Sequence, residues 1–343
     1  MRADAGWRRA GRGRRDRLHR ADHSGAGRRH QRLQQLLNRL ILLAAVVLGG
    51  CAHLPSAERA GSGPLLELHQ TPFFPQQRYQ CGPAALATLL VDSGVETSPA
   101  TLIDQVWIEG RQGSLQPELL AATRRAGRLP VVLEPQLDAL GAAIEAGYPA
   151  LVLLNLGPRW WPMWHYAVVI GMSQDGWLLR SGTEPRRFMD HRAFEHAWHG
   201  GGRWAVIAAH PSHVPRPAHL EAWIRAADDL ARVGFSALAE QALASATGRW
   251  PDAALAWFAY GNQQAAATDW SSAAQALTRA VALRPDWTPA MNNLATVWLS
   301  LDCPERARPL MPRLASAPED YAAKTLAEFQ AHQATGPCRY DPQ

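Results

Sequence analysis

The hydrophobic pattern of residues 71–212 changes from a helical period to a strand period along the chain. Its later part contains short, β-branched apolar runs bounded by Gly, Pro or Asp, which is typical of strands. These runs predict strands at Val131–Leu133, Ala150–Leu156, Tyr166–Met172, Trp177–Arg180 and Trp204–Ala209. We expect the last four to form one antiparallel sheet. Arg186 and Arg187 follow the fourth run and are assigned to a solvated turn.

Helical patterns precede these strands. A strongly helical run covers residues 84–90, and Ser98-Pro99 suits the start of a second helix that extends to Trp107. Ser114 is expected to cap a third helix. A fourth spans about 137–146 and is ended by Gly147, since glycine readily adopts the conformation that follows a helix. This half of the region is therefore expected to be mainly α-helical.

From residue 218 onward the apolar positions repeat every 34 residues. The aligned columns include Trp223, Trp257, Met291; Ala227, Gly261, Ala295; Ala239, Ala273, Ala307; and Leu243, Leu277, Met311. This period, with its bulky, small and proline columns, resembles the tetratricopeptide repeat. It predicts an all-α tetratricopeptide (TPR) solenoid at 218–325, with units at 220–253, 254–287 and 288–321, that binds a protein partner in its groove. Residues 326–343 are assigned to a C-terminal tail.

The basic pI of about 9.3 originates at the N-terminus. Residues 1–50 contain twelve Arg and three Asp, a charge of +9, so residues 51–343 carry −4 of the total of +5. The overall basicity therefore gives no reason to expect nucleic-acid binding by the folded part. The apolar fraction of 47% is ample for packed cores.

Residues 28–50 have the layout of an export signal, in which four Arg precede an apolar run from Leu40 to Gly50. The run is about half of the ~20 residues that span a bilayer. It ends in Leu48-Gly49-Gly50-Cys51, which resembles a bacterial lipobox, whose cysteine accepts a diacylglycerol. The resemblance implies membrane attachment through Cys51 in the bacterial cell envelope, and Ala52 favours the periplasmic face of the outer membrane. An ordinary signal peptide with an incidental cysteine is the alternative.

Residues 51–70 are rich in Pro, Ser and Gly and are assigned to a tether between the anchor and the first domain. The first 27 residues resemble neither a signal nor a domain. Translation that begins further into the chain would account for them.

Cys81 lies where an irregular segment meets the first predicted helix. Gly82 permits close backbone approach, and Pro83 suits the first helical turn. At a helix N-terminus the dipole and free amides favour thiolate over thiol. His165, which opens an apolar run, is the candidate base. A buried structural cysteine and a core histidine are the respective alternatives.

Three stretches together resemble the C39 family of papain-like cysteine peptidases. They are Gln76 to Leu86, Gly113-Ser114-Leu115 and His165 to Gly171. The resemblance implies an α+β papain-like peptidase domain at 71–212 that acts on a peptide or protein and needs no cofactor. By position, it implies that Cys81 is the nucleophile, His165 the general base and acid, and Gln76 an oxyanion-hole donor. Gln77 is the alternative for the last role.

The third member of the catalytic triad departs from the family's pattern. Where most members have Asp-Pro, sixteen residues after the histidine, this chain has Ser181-Gly182. A serine hydroxyl accepts a hydrogen bond from imidazole but does not stabilise imidazolium as a carboxylate does. Ser181 is therefore the candidate, and Asp175, Glu184 and Asn155 stay open as alternatives.

Two remaining cysteines, Cys303 and Cys338, are expected to form a disulfide in an exported chain, with two unpaired thiols as the alternative. The sequence has no Cys-x-x-Cys or His-Glu-x-x-His motif, so no metal site is predicted. Trp160, Trp161 and Trp164 crowd the approach to His165. They indicate either an aromatic wall for substrate or ordinary packing.

Together these features predict an envelope-anchored cysteine peptidase with partner-binding repeats. Two other classes of protein stay open. One is a catalytically impaired C39-like scaffold that binds peptides, and the other is a transglutaminase or amidase that uses the same Cys–His pair.

Overall fold

The computed structural model describes residues 66–76, 80–333 and 336–340. The predicted export signal, Cys51, the tether up to residue 65 and Gln77 lie outside the described residues, so these assignments stay predictions.

Helices and strands occur together up to Ala209, about half of the described chain, and helices alone follow. In order, the elements are β1 (Leu66–Glu67), α1 (Cys81–Asp92), α2 (Pro99–Val106), α3 (Gln116–Arg125), β2 (Leu129–Val132), α4 (Leu137–Glu145), β3 (Ala150–Asn155), β4 (Trp164–Met172), β5 (Gly176–Ser181), β6 (Glu184–Asp190), α5 (His191–Gly200), β7 (Ala205–Ala209), α6 (Leu220–Arg232), α7 (Ser236–Arg249), α8 (Ala254–Ala266), α9 (Trp270–Leu283), α10 (Thr288–Ser300), α11 (Pro304–Ala307), α12 (Met311–Ala315) and α13 (Asp320–Ala331). Short 3₁₀ turns lie at Glu109–Arg111 and Arg308–Leu310.

The strands form one antiparallel sheet in the order β2-β7-β3-β4-β5-β6, and β1 pairs with the far end of β4. All five predicted strands are present, and β1 and β6 are additional. Two predictions are corrected here. Arg186 and Arg187 lie in β6 rather than in a turn, because the chain reverses earlier, at Gly182 with φ +65°. The predicted tether, 51–70, is too long, because Leu66 and Glu67 pair with Met172 and Gly171.

Helices cover both faces of the sheet. Side chains alternate along a strand, so Tyr166, Val168 and Ile170 of β4 pack against α1 on one face. Ala167 and Val169 point to the opposite face, where α4 and α5 supply Ile144, Phe194 and Trp198. The antiparallel sheet with its helices, followed by a helical region, agrees with the predicted α+β class.

The ends of three helices test the predicted caps. The Ser98 hydroxyl accepts a hydrogen bond from the Thr101 N–H at the start of α2, as predicted. Gly147 follows α4 with φ +84°, which confirms the predicted stop. The Ser114 cap is wrong, since α3 begins after Leu115 without a side-chain cap. Ser114 instead lies against Gly82, at the start of α1.

The helical region follows the 34-residue spacing of its sequence. Helices α6, α8 and α10 begin at Leu220, Ala254 and Thr288, each 34 residues after the one before. Each packs against the helix that follows it. The small column Ala239, Ala273 and Ala307 is fully buried, so small side chains let these helices approach closely. In the third unit the second helix is broken into α11, a 3₁₀ turn and α12, because proline lacks the N–H that continues a helix. The tetratricopeptide assignment itself stays a prediction.

The sheet and the first helices of the helical region share one buried cluster, and the later helices form a cluster of their own. Trp223 and Leu230 of α6 belong to the same buried cluster as Leu129 and Ile207 of the sheet. Arg124 of α3 forms an ion pair with Asp229 of α6. The predicted boundary between 212 and 218 thus separates two segments of sequence, while the packing continues across it.

A disulfide joins Cys303 to Cys338. It holds the C-terminal segment on α10, where the Tyr340 ring packs edge-on against Trp298. The boundary predicted between the repeats and a tail at 326 is wrong, because α13 runs without a break from Asp320 to Ala331. No helix in the described ranges has both the length and the apolar composition needed to cross a membrane.

Candidate active site

Cys81 is the first residue of α1 and the free cysteine of the described chain. Its neighbour Gly82 is needed there, because a Cβ at this position would lie 2.3 Å from Ser114 Oγ. Any larger residue would push α1 away from the loop that contains Ser114. The glycine after the cysteine therefore allows the loop before α3 to close against the thiol.

The Cys81 thiol is not a preformed thiolate. Burial raises the pKa of Cys81, and this effect outweighs the N–H groups of Tyr166, Gly82 and Cys81 itself, which lower it. The sequence argument that a helix N-terminus favours thiolate is therefore wrong in direction for this residue. Its amides do act as expected, but the packing that surrounds the sulfur has the larger effect.

His165 is the second residue of β4 and lies beside Ser181 at the end of β5. The His165 Nε2 and the Ser181 Oγ share a hydrogen bond of 2.9 Å. Burial first, and the positive charge of Arg187 second, lower the pKa of His165 to about 4. The imidazole is thus neutral at pH 7, with one ring nitrogen held by Ser181.

Cys81 and His165 line two different spaces, which have three lining residues in common. No hydrogen bond between them is found among the described residues. Cys81 lines a narrow cleft of about 10 Å³, and His165 lines a wider cavity of about 450 Å³. Gln76, Ser181 and Gly182 line both spaces. The structure therefore brings all four predicted residues into one neighbourhood without a hydrogen bond between the thiol and the imidazole.

Gln76 is held in place through its backbone. Its N–H donates to the Gly182 carbonyl over 3.0 Å. The segment before α1 is thereby tied to the turn between β5 and β6. Gln76 thus lines both the cleft of Cys81 and the cavity of His165, and its role as an oxyanion donor stays a prediction.

Of the three alternatives for the third member of the triad, two have positions or partners away from His165, and one lies near it. The Asn155 Oδ1 accepts from the N–H groups of Gly157 and Met163 and so organises the β3–β4 loop. Asp175 lies in the β4–β5 turn, at the end of the hairpin away from His165. Glu184 lines the His165 cavity, where its carboxylate lies 3.8 Å from the Arg187 guanidinium.

A larger cavity, of about 710 Å³, opens beside Cys81. Its walls are the loop 111–116, the Gly200–Gly202 segment, and the side chains of Pro162, Trp164 and Tyr166. Trp160 is 82% exposed and Trp161 is 68% exposed, so neither is a core residue. Of the three tryptophans, only Trp164 lines this cavity, and an aromatic wall is thus present in part.

Arg187 is the site residue that the sequence analysis missed. It was assigned to a turn because β6 carries no apolar run, yet it lines the His165 cavity and lowers the pKa of His165. The position of β6 just after Gly182, where a hairpin could turn, was the one local signal. Among the residues that the structure describes, His, Cys, Asp and Glu side chains form no group of three or more suited to a metal ion.

Comparisons with known proteins give limited similarity. No family model and no curated protein matches the chain. Among solved structures, a C39-like peptidase from Bacillus anthracis shares 16% identity at a TM-score of 0.37, covering 43% of this chain and 98% of that one. The double glycine motif protease of an AMS/PCAT transporter, in complex with the leader peptide, shares 17% at 0.33, covering 40% and 89%. A Thermobaculum terrenum O-GlcNAc transferase mutant shares 24% at 0.31, covering 34% and 23%. Structural neighbours at low identity thus include C39-like peptidase domains.

Proposed function

We propose that this chain is an envelope-anchored cysteine peptidase that cleaves peptide bonds with Cys81 and His165. The observation that carries the proposal is the 2.9 Å hydrogen bond between His165 and Ser181, beside the cleft that Gln76 and Cys81 line. A nucleophile, a base and a residue that orients the base are the three parts that such chemistry requires. Ser181 takes the orienting role.

The resting pair is a neutral thiol and a neutral imidazole. We assign the Nε2 proton to the bond with Ser181, so that Nδ1 has the free lone pair. As the sulfur attacks the substrate carbonyl, an S–C bond forms and the thiol proton moves to Nδ1. Catalytic hydrogen bonds are often long in free enzymes and shorten when substrate is bound, so direct contact is expected at this step.

The remaining steps return the proton. The developing oxyanion accepts hydrogen bonds from the Gln76 side chain and the Cys81 N–H, each donor contributing roughly 3 kcal/mol in comparable sites. The imidazolium then gives its proton to the leaving amine as the C–N bond breaks. Water, deprotonated by His165, attacks the thioester, which releases the acid and restores the thiol.

The remaining parts of the proposal concern location and partners. Cys51, as the lipid-modified residue of a lipobox, would hold the chain at the periplasmic face of the outer membrane. The helix pairs after residue 220 would act as tetratricopeptide repeats that bind a peptide or protein partner. The resemblance to a lipobox supports the membrane anchor, and the 34-residue spacing of the helix starts supports the repeats.

A peptide-binding scaffold without catalysis is the second candidate. Two observations favour it: the sulfur and the imidazole are not hydrogen-bonded to each other, and burial raises the pKa of Cys81. In addition, Ser181 has no negative charge with which to stabilise an imidazolium. A test must therefore ask whether His165 activates the thiol.

Thiol labelling of the full chain with Cys51→Ser separates the two candidates. The sequence has four cysteines and two are in the disulfide, so only Cys81 can react with iodoacetamide in this variant. A peptidase should show labelling that persists down to about pH 5 and falls as His165 is protonated near pH 4. The substitution His165→Ala should slow it at least about 100-fold, which is the lower range for general-base catalysis.

A scaffold would give the opposite result. Labelling would appear only at alkaline pH, since the buried thiol would ionise without help, and His165→Ala would not change the rate. That outcome would refute the peptidase proposal. His191→Ala is a suitable control, because His191 lies at the start of α5 and lines neither space next to Cys81.

A further inference from the structure

The cavity that contains His165 has an arginine, Arg187, whose side chain makes no hydrogen bond to the residues that the structure describes. The Arg187 side chain is 22% exposed, and its one polar partner in the described chain is Glu184, at 3.8 Å. At this distance the two side chains form an ion pair but no hydrogen bond. A guanidinium has five N–H donors in a planar fork that matches a carboxylate. A partly buried guanidinium in this state is ready to bind an anion.

The position of the cavity relative to Cys81 indicates which part of a substrate would enter it. In the proposed reaction, the acyl part of the substrate becomes bonded to the sulfur, and the large cavity beside Cys81 is the space next to it. The leaving amine must receive its proton from His165. The cavity lined by His165 and not by Cys81 therefore takes the leaving-group side of the scissile bond.

An anion bound in this cavity would also affect the protonation of His165, because of the charges that surround the imidazole. Arg187 opposes protonation of the imidazole, and Ser181 supplies no charge to offset it. Glu184 is the one other charged side chain lining this cavity, and it is half exposed. A carboxylate that neutralised Arg187 would make the imidazolium easier to form, since a nearby cation disfavours the charged form of histidine.

We infer that Arg187 binds a substrate carboxylate on the leaving-group side of the scissile bond, so that the site prefers peptides with an acidic side chain or a free C-terminus there. This inference rests on the proposed function for its assignment to the leaving-group side. The substrate supplies the negative charge that an aspartate after the histidine would otherwise give. Binding and activation of the base are thereby coupled.

Four product-like dipeptides test the inference by isothermal titration with the full chain carrying Cys81→Ser. They are Ala-Asp amide, Ala-Asn amide, Ala-Ala free acid and Ala-Ala amide. At least one acid should bind about 10-fold or more tightly than its neutral partner. Preference for Ala-Asp amide identifies the side chain as the source of the carboxylate, and preference for Ala-Ala free acid identifies the C-terminus.

Substitutions locate the effect. Arg187→Gln should abolish the preference, and Arg187→Lys, which keeps the charge but not the fork, should retain part of it. Arg186→Gln is the matched control, because Arg186 is the adjacent strand residue and pairs with Glu67 outside the cavity. Glu184→Gln should strengthen acid binding, since it removes the carboxylate that competes for Arg187.

A second readout reports on the base. Nitrogen-15 NMR of the imidazole should show the pKa of His165 rising by about one unit or more when the preferred acid is bound. No acid preference, or a preference that survives in both Arg187 variants, would overturn the inference.

Neither measurement needs catalysis, so the two proposals fail separately. If Cys81 proves unreactive but the preference for acids depends on Arg187, the peptidase is refuted and the carboxylate site stands. If Cys81 is reactive and no preference exists, the peptidase stands and the carboxylate site is refuted.

Discussion

Two tryptophans of the helical region occupy equivalent repeat positions, but only one of them packs against the sheet domain. Trp223 and Trp257 stand in one column of the 34-residue repeat. Trp223 is fully buried, packs in the core shared with the sheet, and donates from Nε1 to the Ala242 carbonyl. Trp257 is partly exposed, and its Nε1 donates to the Pro251 carbonyl. The local repeat determines where a helix begins, while contact with another region determines how much a side chain contributes to the stability of the fold.

The largest expected effect tests this difference directly. Trp223→Ala should lower the free energy of unfolding by about 4 kcal/mol, because it leaves a cavity at the junction and removes the buried hydrogen bond from the indole to the Ala242 carbonyl. Trp257→Ala should lower it by less than half as much. Urea unfolding followed by circular dichroism at 222 nm measures both. Equal losses would mean that packing against the sheet adds nothing to this position.

The helical region could be predicted closely from sequence because its information is local. A helix pair is specified within one 34-residue unit, so the columns located helix starts without knowledge of the rest of the chain. The break between α11 and α12 was also encoded locally, in Pro309 and Pro312. The prediction missed it because the aligned columns continued through the prolines.

The site in the sheet domain was predictable only in part. Cys81 and His165 were predicted as site residues through motif resemblance, and Ser181 through its position after the histidine. The direction of the Cys81 pKa was wrong, because burial by packing against β4 depends on contacts that no local pattern contains. Arg187 was missed for the same reason, since its relevance arises from a hairpin that places β6 beside His165.

The second effect concerns the far end of the helical region. Removing the disulfide with Cys303→Ala and Cys338→Ala should lower the free energy of unfolding by about 3 kcal/mol, since a 35-residue loop is no longer closed in the unfolded chain. Unfolding of the unsubstituted protein with and without a reductant gives an independent measurement. The labelling rate of Cys81 should not change, because the disulfide lies in a different core cluster from the site. A changed rate would show that the two regions are coupled over this distance.

The smallest of the three effects is a pH dependence that belongs to the sheet domain alone. The pKa of His165 is about 4 in the folded chain, below the 6.5 of an ordinary histidine. Between these values the unfolded state binds the proton and the folded state does not. The contribution of His165 to stability is therefore complete above about pH 6.5 and is lost as the pH falls towards 4.

The size of this effect follows from the same two values. Between pH 7 and pH 5 the loss should be about 2 kcal/mol, because each unit of pKa difference corresponds to about 1.4 kcal/mol. His165→Asn should remove that part of the slope, while Trp257→Ala, in the helical region, should leave it unchanged. Urea unfolding of the three proteins at pH 5, 6 and 7 measures the slopes. If the asparagine variant kept the full slope, folding would not lower the pKa of His165, and burial would not be what keeps the imidazole neutral.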